Sequence, residues 1–178
     1  MRKRWIVCGL VAALYASASA APDNDRTVRK ALAPLYGKIQ KAFMNRDIEG
    51  LLAVLAPPNT ARPGEKAADP MKLRREIGLQ LAVMKKMNGV KMQMTKVTVK
   101  GDRAVVLNSY AFSGLFEPQK GKVMKMADKG MTKDTWAKTP KGWRLLNLET
   151  LKSDPTLDGR PLKEVMAGDA ARKGPGKR

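Results

Sequence analysis

A few side chains in this chain have the type and spacing to do chemistry. Trp143, Leu145, Asn147 and Glu149 fall on one face if their segment is a strand, because alternate residues of a strand point the same way. A glutamate held on an apolar face keeps its proton longer than usual and could act as a general base. Asp134, two residues before Trp136, is a second candidate acid. Tyr36 or Tyr110 could donate a phenolic hydrogen bond to a developing oxyanion. The competing reading of Glu149 is a solvated ion pair, since lysine is abundant. Histidine is absent, which excludes Ser–His, Cys–His and histidine-ligated metal mechanisms. Any chemistry must run on carboxylates and phenols.

Sulfur offers little more. Cys8 is the single cysteine, so neither an internal disulfide nor a thiolate zinc cage can form. The 11 methionines include the pairs Met92/Met94 and Met124/Met126. Soft thioethers can hold Cu(I). On a strand, however, such pairs sit side by side and fill a core or line a pocket equally well. No metal and no cofactor is expected.

Residues 1–20 read as a secretory signal peptide. Arg2, Lys3 and Arg4 precede a short apolar run, and Ala18-Ser19-Ala20 is an A-x-A cleavage site. The run is too short to span a bilayer. A periplasmic or secreted protein starting near Ala21 is the expectation, and Cys8 leaves with the leader. The formal net charge of +19 falls to +16 without the three basic leader residues. Lysines alternate along the chain as they would on a solvated face, and aromatic residues make up only 5%. That predicts weak, non-specific attraction to anionic surfaces rather than a dedicated nucleic-acid site.

The elements that must position these groups follow from period and punctuation. Val28, Leu32, Leu35, Tyr36, Ile39 and Phe43 form a helical stripe over 26–46, with Asp25 as a cap and Pro34 as a defect. Asp47 caps a short second helix that Pro57-Pro58 ends. Asp69-Pro70 starts a third, which Asn88-Gly89 should stop. From Val90 the period changes to two, with a phase slip before Val97 that predicts a bulge. Strands follow at 103–116, within 122–139 and at 143–151, and residues 156–178 read as a flexible basic tail. Helices first and consecutive strands afterwards predict an α+β domain over 21–155 with an antiparallel sheet.

Three segments in this order resemble the nuclear transport factor 2-like (SnoaL-like) superfamily. They are Lys41-Ala42-Phe43-Met44-Asn45-Arg46-Asp47-Ile48-Glu49-Gly50-Leu51, Val97-Thr98-Val99-Lys100-Gly101-Asp102-Arg103-Ala104-Val105-Val106, and Asp134-Thr135-Trp136-Ala137-Lys138 followed by Gly142-Trp143-Arg144-Leu145. The resemblance covers roughly residues 26–152. It implies a strongly curved antiparallel sheet wrapped around the N-terminal helices, a cone opening into a pocket. It also implies that the positions of Asn147 and Glu149 face that pocket, because members of the family carry histidine or acids there.

On this basis the expected function is a small-ligand-binding or interaction module with an apolar pocket. From the helical half, Tyr36, Ile39, Phe43, Leu81 and Met84 would line it. From the strands, Met92, Tyr110, Trp136, Trp143, Asn147 and Glu149 would do so. The alternative is a cofactor-free isomerase, dehydratase or hydrolase using Glu149 or Asp134 with a tyrosine, Tyr110 among the candidates. A third reading is an envelope-associated oligomerisation or polyanion-binding protein. Val105, Leu107, Leu146 and Leu148 give the strands a second apolar face, which predicts a homodimer through the outer side of the sheet.

Overall fold

A computed structural model describes residues 25–165. The leader reading of 1–20 and the end of the tail, 166–178, lie outside the described residues. Helix α1 runs over Asp25–Asn45, straight through Pro34, which is solvent-exposed. Its stripe Val28, Leu32, Tyr36, Ile39 and Ala42 is buried. Asp25 is the first helical residue rather than a cap. Its carboxylate accepts the Val99 N–H at 3.2 Å and ties the start of α1 to the sheet. Helix α2 (Ile48–Leu52) is capped by Asp47, which accepts from the Gly50 N–H. Arg46, at φ 58°, turns the chain between the two helices. Helix α3 (Pro70–Val83) begins as expected, with Asp69 accepting from Met71 and Lys72.

That third helix ends earlier than its stop signal suggests. Strand β1 (Met84–Lys100) begins directly after Val83, so Asn88-Gly89 lies inside the strand. The pairing of Met84 through Gly89 with Phe116 through Ser113 outweighs the local helical pattern. Strand β2 (Arg103–Gln119) pairs with β1, and β3 (Lys122–Thr139) pairs with β2, all antiparallel. The expected bulge is present as a register shift between Met94 and Lys96. The free edge of β3 is shared. Its C-terminal half pairs with β4 (Gly142–Ser153). Its Met126–Ala127 segment pairs with β5 (Thr156–Leu157), which forms a small hairpin with β6 (Arg160–Pro161). The start of the expected tail is therefore ordered sheet, and Leu157 is buried.

The sheet curves without closing, and the helices lie against its inner face. The architecture is the α+β cone expected. Its core joins Val28, Leu32 and Tyr36 of α1 to Val97, Ala104, Val106, Trp136 and Leu145 of the strands. The outer face near β4 is covered by the chain's own α2–α3 loop. Ala56 and Ala68 donate to the Leu145 and Leu146 carbonyls. Leu146, 1% exposed, packs among Ala56, Ala61, Ala67 and Ala137. Arg103, on the same face, binds Glu65 and the Thr60 carbonyl of this loop. Leu146 is thus not free for a partner. Leu148 lies on the opposite, inner side, so the expected dimer patch of Val105, Leu107, Leu146 and Leu148 is not one surface.

Candidate active site and binding cavity

Trp136, Asp134 and Thr132 point inward from β3 because alternate residues of a strand share a face. Opposite them on β2 stand Ala104, Val106 and Asn108, in direct register. Tyr36 comes down on this row from α1. Its hydroxyl donates to Asp134 Oδ2 at 2.5 Å, and the Trp136 Nε1–H donates to the Tyr36 oxygen at 3.3 Å. The two rings meet at 5.4 Å between centroids. Asn108 Nδ2 donates to Thr132 Oγ1 at 3.3 Å.

This polar row is deeply buried. Asp134 is 2% exposed and Asn108 is 1% exposed. Burial raises the pKa of Asp134 above the ordinary carboxylate range, against the opposing pull of the Tyr36 and Thr132 hydroxyls. Burial, reinforced by the neighbouring carboxylate, also pushes the Tyr36 phenol far up, so it stays protonated and donates. Two acceptors are left over: Asp134 Oδ1 and Asn108 Oδ1 have no hydrogen-bond partner within normal bonding distance, the Thr132 hydroxyl lying only close enough to Asp134 to lower its pKa. A buried polar atom without a partner costs about 1–3 kcal/mol, so such atoms call for an explanation.

Two cavities open along the inner face. One, of about 570 Å³, has Asp134, Tyr36, Ile39, Phe43, Leu73, Ile77, Leu145 and Asn147 in its wall. The other, of about 510 Å³, lies toward the far end of the strands. It is lined by Leu81, Met84, Met87, Phe112, Phe116, Met126 and Tyr110. Phe43, Met92, Leu148 and Thr150 contribute to both, so the cavities adjoin.

The expected residues thus divide. Tyr36, Ile39, Phe43, Leu81, Met84, Met92, Tyr110 and Asn147 lie on the cavities. Trp136 and Trp143 are core residues that line neither. Glu149 does not reach the cone. It is exposed, on the outer face, with its carboxylate 3.5 Å from Lys133 Nζ. The cause is a bulge in β4. Trp136 pairs with Leu145 and Thr135 with Asn147, so Leu146 is an extra residue. One extra residue reverses the faces of all that follow. Leu148 and Thr150 turn inward and Glu149 turns out.

Tyr110 is also not the tyrosine of Asp134. Its hydroxyl donates to Asp128 Oδ2 at 3.0 Å, and Ser153 donates to the same oxygen at 2.9 Å. Burial raises the Tyr110 pKa as well. On β2 it stands four residues from Val106, the partner of Asp134, about 13 Å along the strand. Gly130 makes room for it, since a Cβ there would overlap both the Tyr110 hydroxyl and the Lys152 carbonyl. Asn108, Thr132 and Asp128 were not among the expected site residues. Asn108 had a readable signal, a polar residue in phase with Ala104 and Val106. The pairing of Asp128 with Tyr110 had none, because it depends on register. Among the described residues no group of three or more Cys, Asp or Glu could hold a metal ion.

The sequence matches no known family description and no curated protein. Solved structures do match in shape. A candidate dehydratase of the nuclear transport factor 2-like family from Streptomyces avermitilis is 17% identical. The match covers 71% of this chain and 97% of that one, with a TM-score of 0.52. A nuclear transport factor 2-like superfamily protein from Salmonella enterica is 17% identical over 71% of this chain and 92% of its own, TM-score 0.53. A candidate aromatic ring hydroxylase from Novosphingobium aromaticivorans is 16% identical over 76% and 96%, TM-score 0.56. The chain has the nuclear transport factor 2-like fold, as its three sequence segments led us to expect.

Proposed function

We propose that the protein binds a small hydrophobic molecule carrying a hydroxyl or amine donor. One observation carries this: Asp134 stands in the wall of the 570 Å³ cavity, and its buried Oδ1 has no hydrogen-bond partner within normal bonding distance. A ligand donor would satisfy it, while the surrounding Ile39, Phe43, Ile77 and Leu145 bury the apolar remainder. Asn108 Oδ1 is a second acceptor in the same polar row. The test compares 2-naphthol with 2-methoxynaphthalene by calorimetry. The naphthol should bind on the order of tenfold more tightly, the value of one hydrogen bond to a charged or polar acceptor. Asp134→Leu should erase that preference. Equal affinity of the two probes in the parent protein would remove the reading.

A second reading is a cofactor-free isomerase, dehydratase or hydrolase with Asp134 as its base. The raised proton affinity of Asp134, beside a phenol that stays protonated, supports it. Glu149 has no part in it. Structures of the same fold include the candidate dehydratase above, which makes acid–base chemistry in such a cone reasonable to test. Turnover of a hydrophobic carbonyl or epoxide substrate, abolished by Asp134→Asn, is the expected result. No turnover across a panel leaves the binding module. We further propose export directed by residues 1–20. N-terminal sequencing of the protein recovered from the periplasm or medium should begin near Ala21.

A further inference from the structure

The outer face of β1–β3 carries a pattern of which only Ala111 touches a cavity. Cross-strand register places Lys86, Leu115 and Lys125 in one rung. Lys91, Ala111 and Lys129 form the next, and Lys96, Leu107 and Lys133 the third. Each rung is a lysine on either side of an apolar residue of the central strand. Neighbouring rungs are four β2 residues apart, about 13 Å, and the two lysines of a rung are about 10 Å apart. All six lysines are exposed. Lys133 pairs with Glu149, and among the described residues the other five have no acidic partner.

This arrangement is poorly suited to packing against a second copy. A two-fold sheet-to-sheet contact would set lysine rungs against lysine rungs and bury unpaired like charges. It suits an anionic partner, and its composition narrows the partner. The charges are all lysine, compact point charges that meet a diffuse anionic surface without the fixed geometry of a bidentate arginine contact. No aromatic residue stands in the three rungs to stack on a base or sugar. Half-buried Leu107 and Leu115 lie between the ammonium groups, so the long lysine stems flank apolar side chains. Among the described residues no helix is long and apolar enough to cross a membrane.

We propose that this lysine-runged face docks the protein on an anionic phospholipid surface, with the ammonium groups among the headgroups and Leu107 and Leu115 toward the interface. The proposal is independent of what the cavity binds.

The test is co-sedimentation of the full chain with vesicles of phosphatidylcholine containing about 30% phosphatidylglycerol, against pure phosphatidylcholine. Partition should favour the anionic vesicles and fall as salt rises from about 0.05 M to about 0.5 M. Each lysine near such a surface contributes about a fivefold factor. Replacing Lys86, Lys91, Lys125 and Lys129 together by Gln should therefore weaken anionic partition by about six-hundredfold. Replacing Lys30, Lys38, Lys41 and Lys141 by Gln removes the same charge elsewhere and should weaken it far less. The N-terminal segment is common to both variants and cancels in the comparison. Arginine at the four face positions keeps the charge and should keep the binding, with circular dichroism confirming that each variant is folded. Equal losses in the two Gln variants would overturn the proposal, because net charge alone would then explain the attraction. So would tighter binding to duplex DNA or a sulfated polysaccharide at physiological salt than to the anionic vesicles.

Discussion

The two faces of the β1–β3 sheet share one period and carry opposite chemistry. Inside, Val106, Asn108 and Tyr110 of β2 face Asp134, Thr132 and Gly130 of β3. Outside, one residue along, Leu107 and Ala111 lie between lysines. Asp134 and Glu149 make the contrast sharpest. Glu149 pairs across to Lys133, the residue next to Asp134, yet one carboxyl is buried against a phenol and the other is solvated beside an ammonium. The lesson is that in a strand protein the acid is selected by face. Face depends on every bulge between the residue and its anchor.

The comparison can be broken at the inner face with the largest effects. Trp136 is fully buried and holds Tyr36 in place, so Trp136→Ala should cost about 3–5 kcal/mol in denaturant unfolding. Gly130→Ala is the next test. The added methyl must displace the Tyr110 hydroxyl and the Lys152 backbone, and should cost about 1–3 kcal/mol. Tyr36→Phe removes the donor to Asp134 Oδ2 and leaves a buried oxygen unpaired, for a loss of about 1–3 kcal/mol.

Asp134→Asn sharpens the comparison through pH. The folded-state pKa of Asp134 is raised by burial, so folding binds its proton more tightly than the unfolded chain does. The stability this supplies is fully present below the unfolded value of about 3.9 and is lost as pH rises through the raised folded value. The Asn variant lacks that loss, so its stability relative to the parent should improve as pH climbs from about 4. Thermal unfolding across that range reads it, and a constant difference would contradict the assignment. The smallest effect belongs outside. Glu149→Gln should stay within about 0.5 kcal/mol of the parent in the same experiment.

Much of the fold was legible. Asp47 and Asp69-Pro70 announced the starts of α2 and α3, and the slip from Met94 to Val97 announced the β1 bulge. Caps and period shifts are local, and local sequence encodes them. The end of α3 was misread because β1 gains its first residues from pairing with β2, a contact far away in sequence. The hairpin of β5 and β6 was missed for the same reason, since two-residue strands carry no period of their own.

The site divides along the same line. The residue types alone determined that no histidine chemistry is available and that Asp, Glu and Tyr must carry whatever chemistry occurs. They also determined that an amphipathic helix would bring Tyr36 onto the core side. Only the tertiary structure decided which acid Tyr36 meets and which tyrosine belongs to Asp128. The physical reason is registry. A single extra residue at Leu146 sends Glu149 to solvent, and strand alignment leaves Asp134 as the carboxyl beneath α1. Composition fixed the +19 charge, and pairing arranged part of it into three rungs on one face.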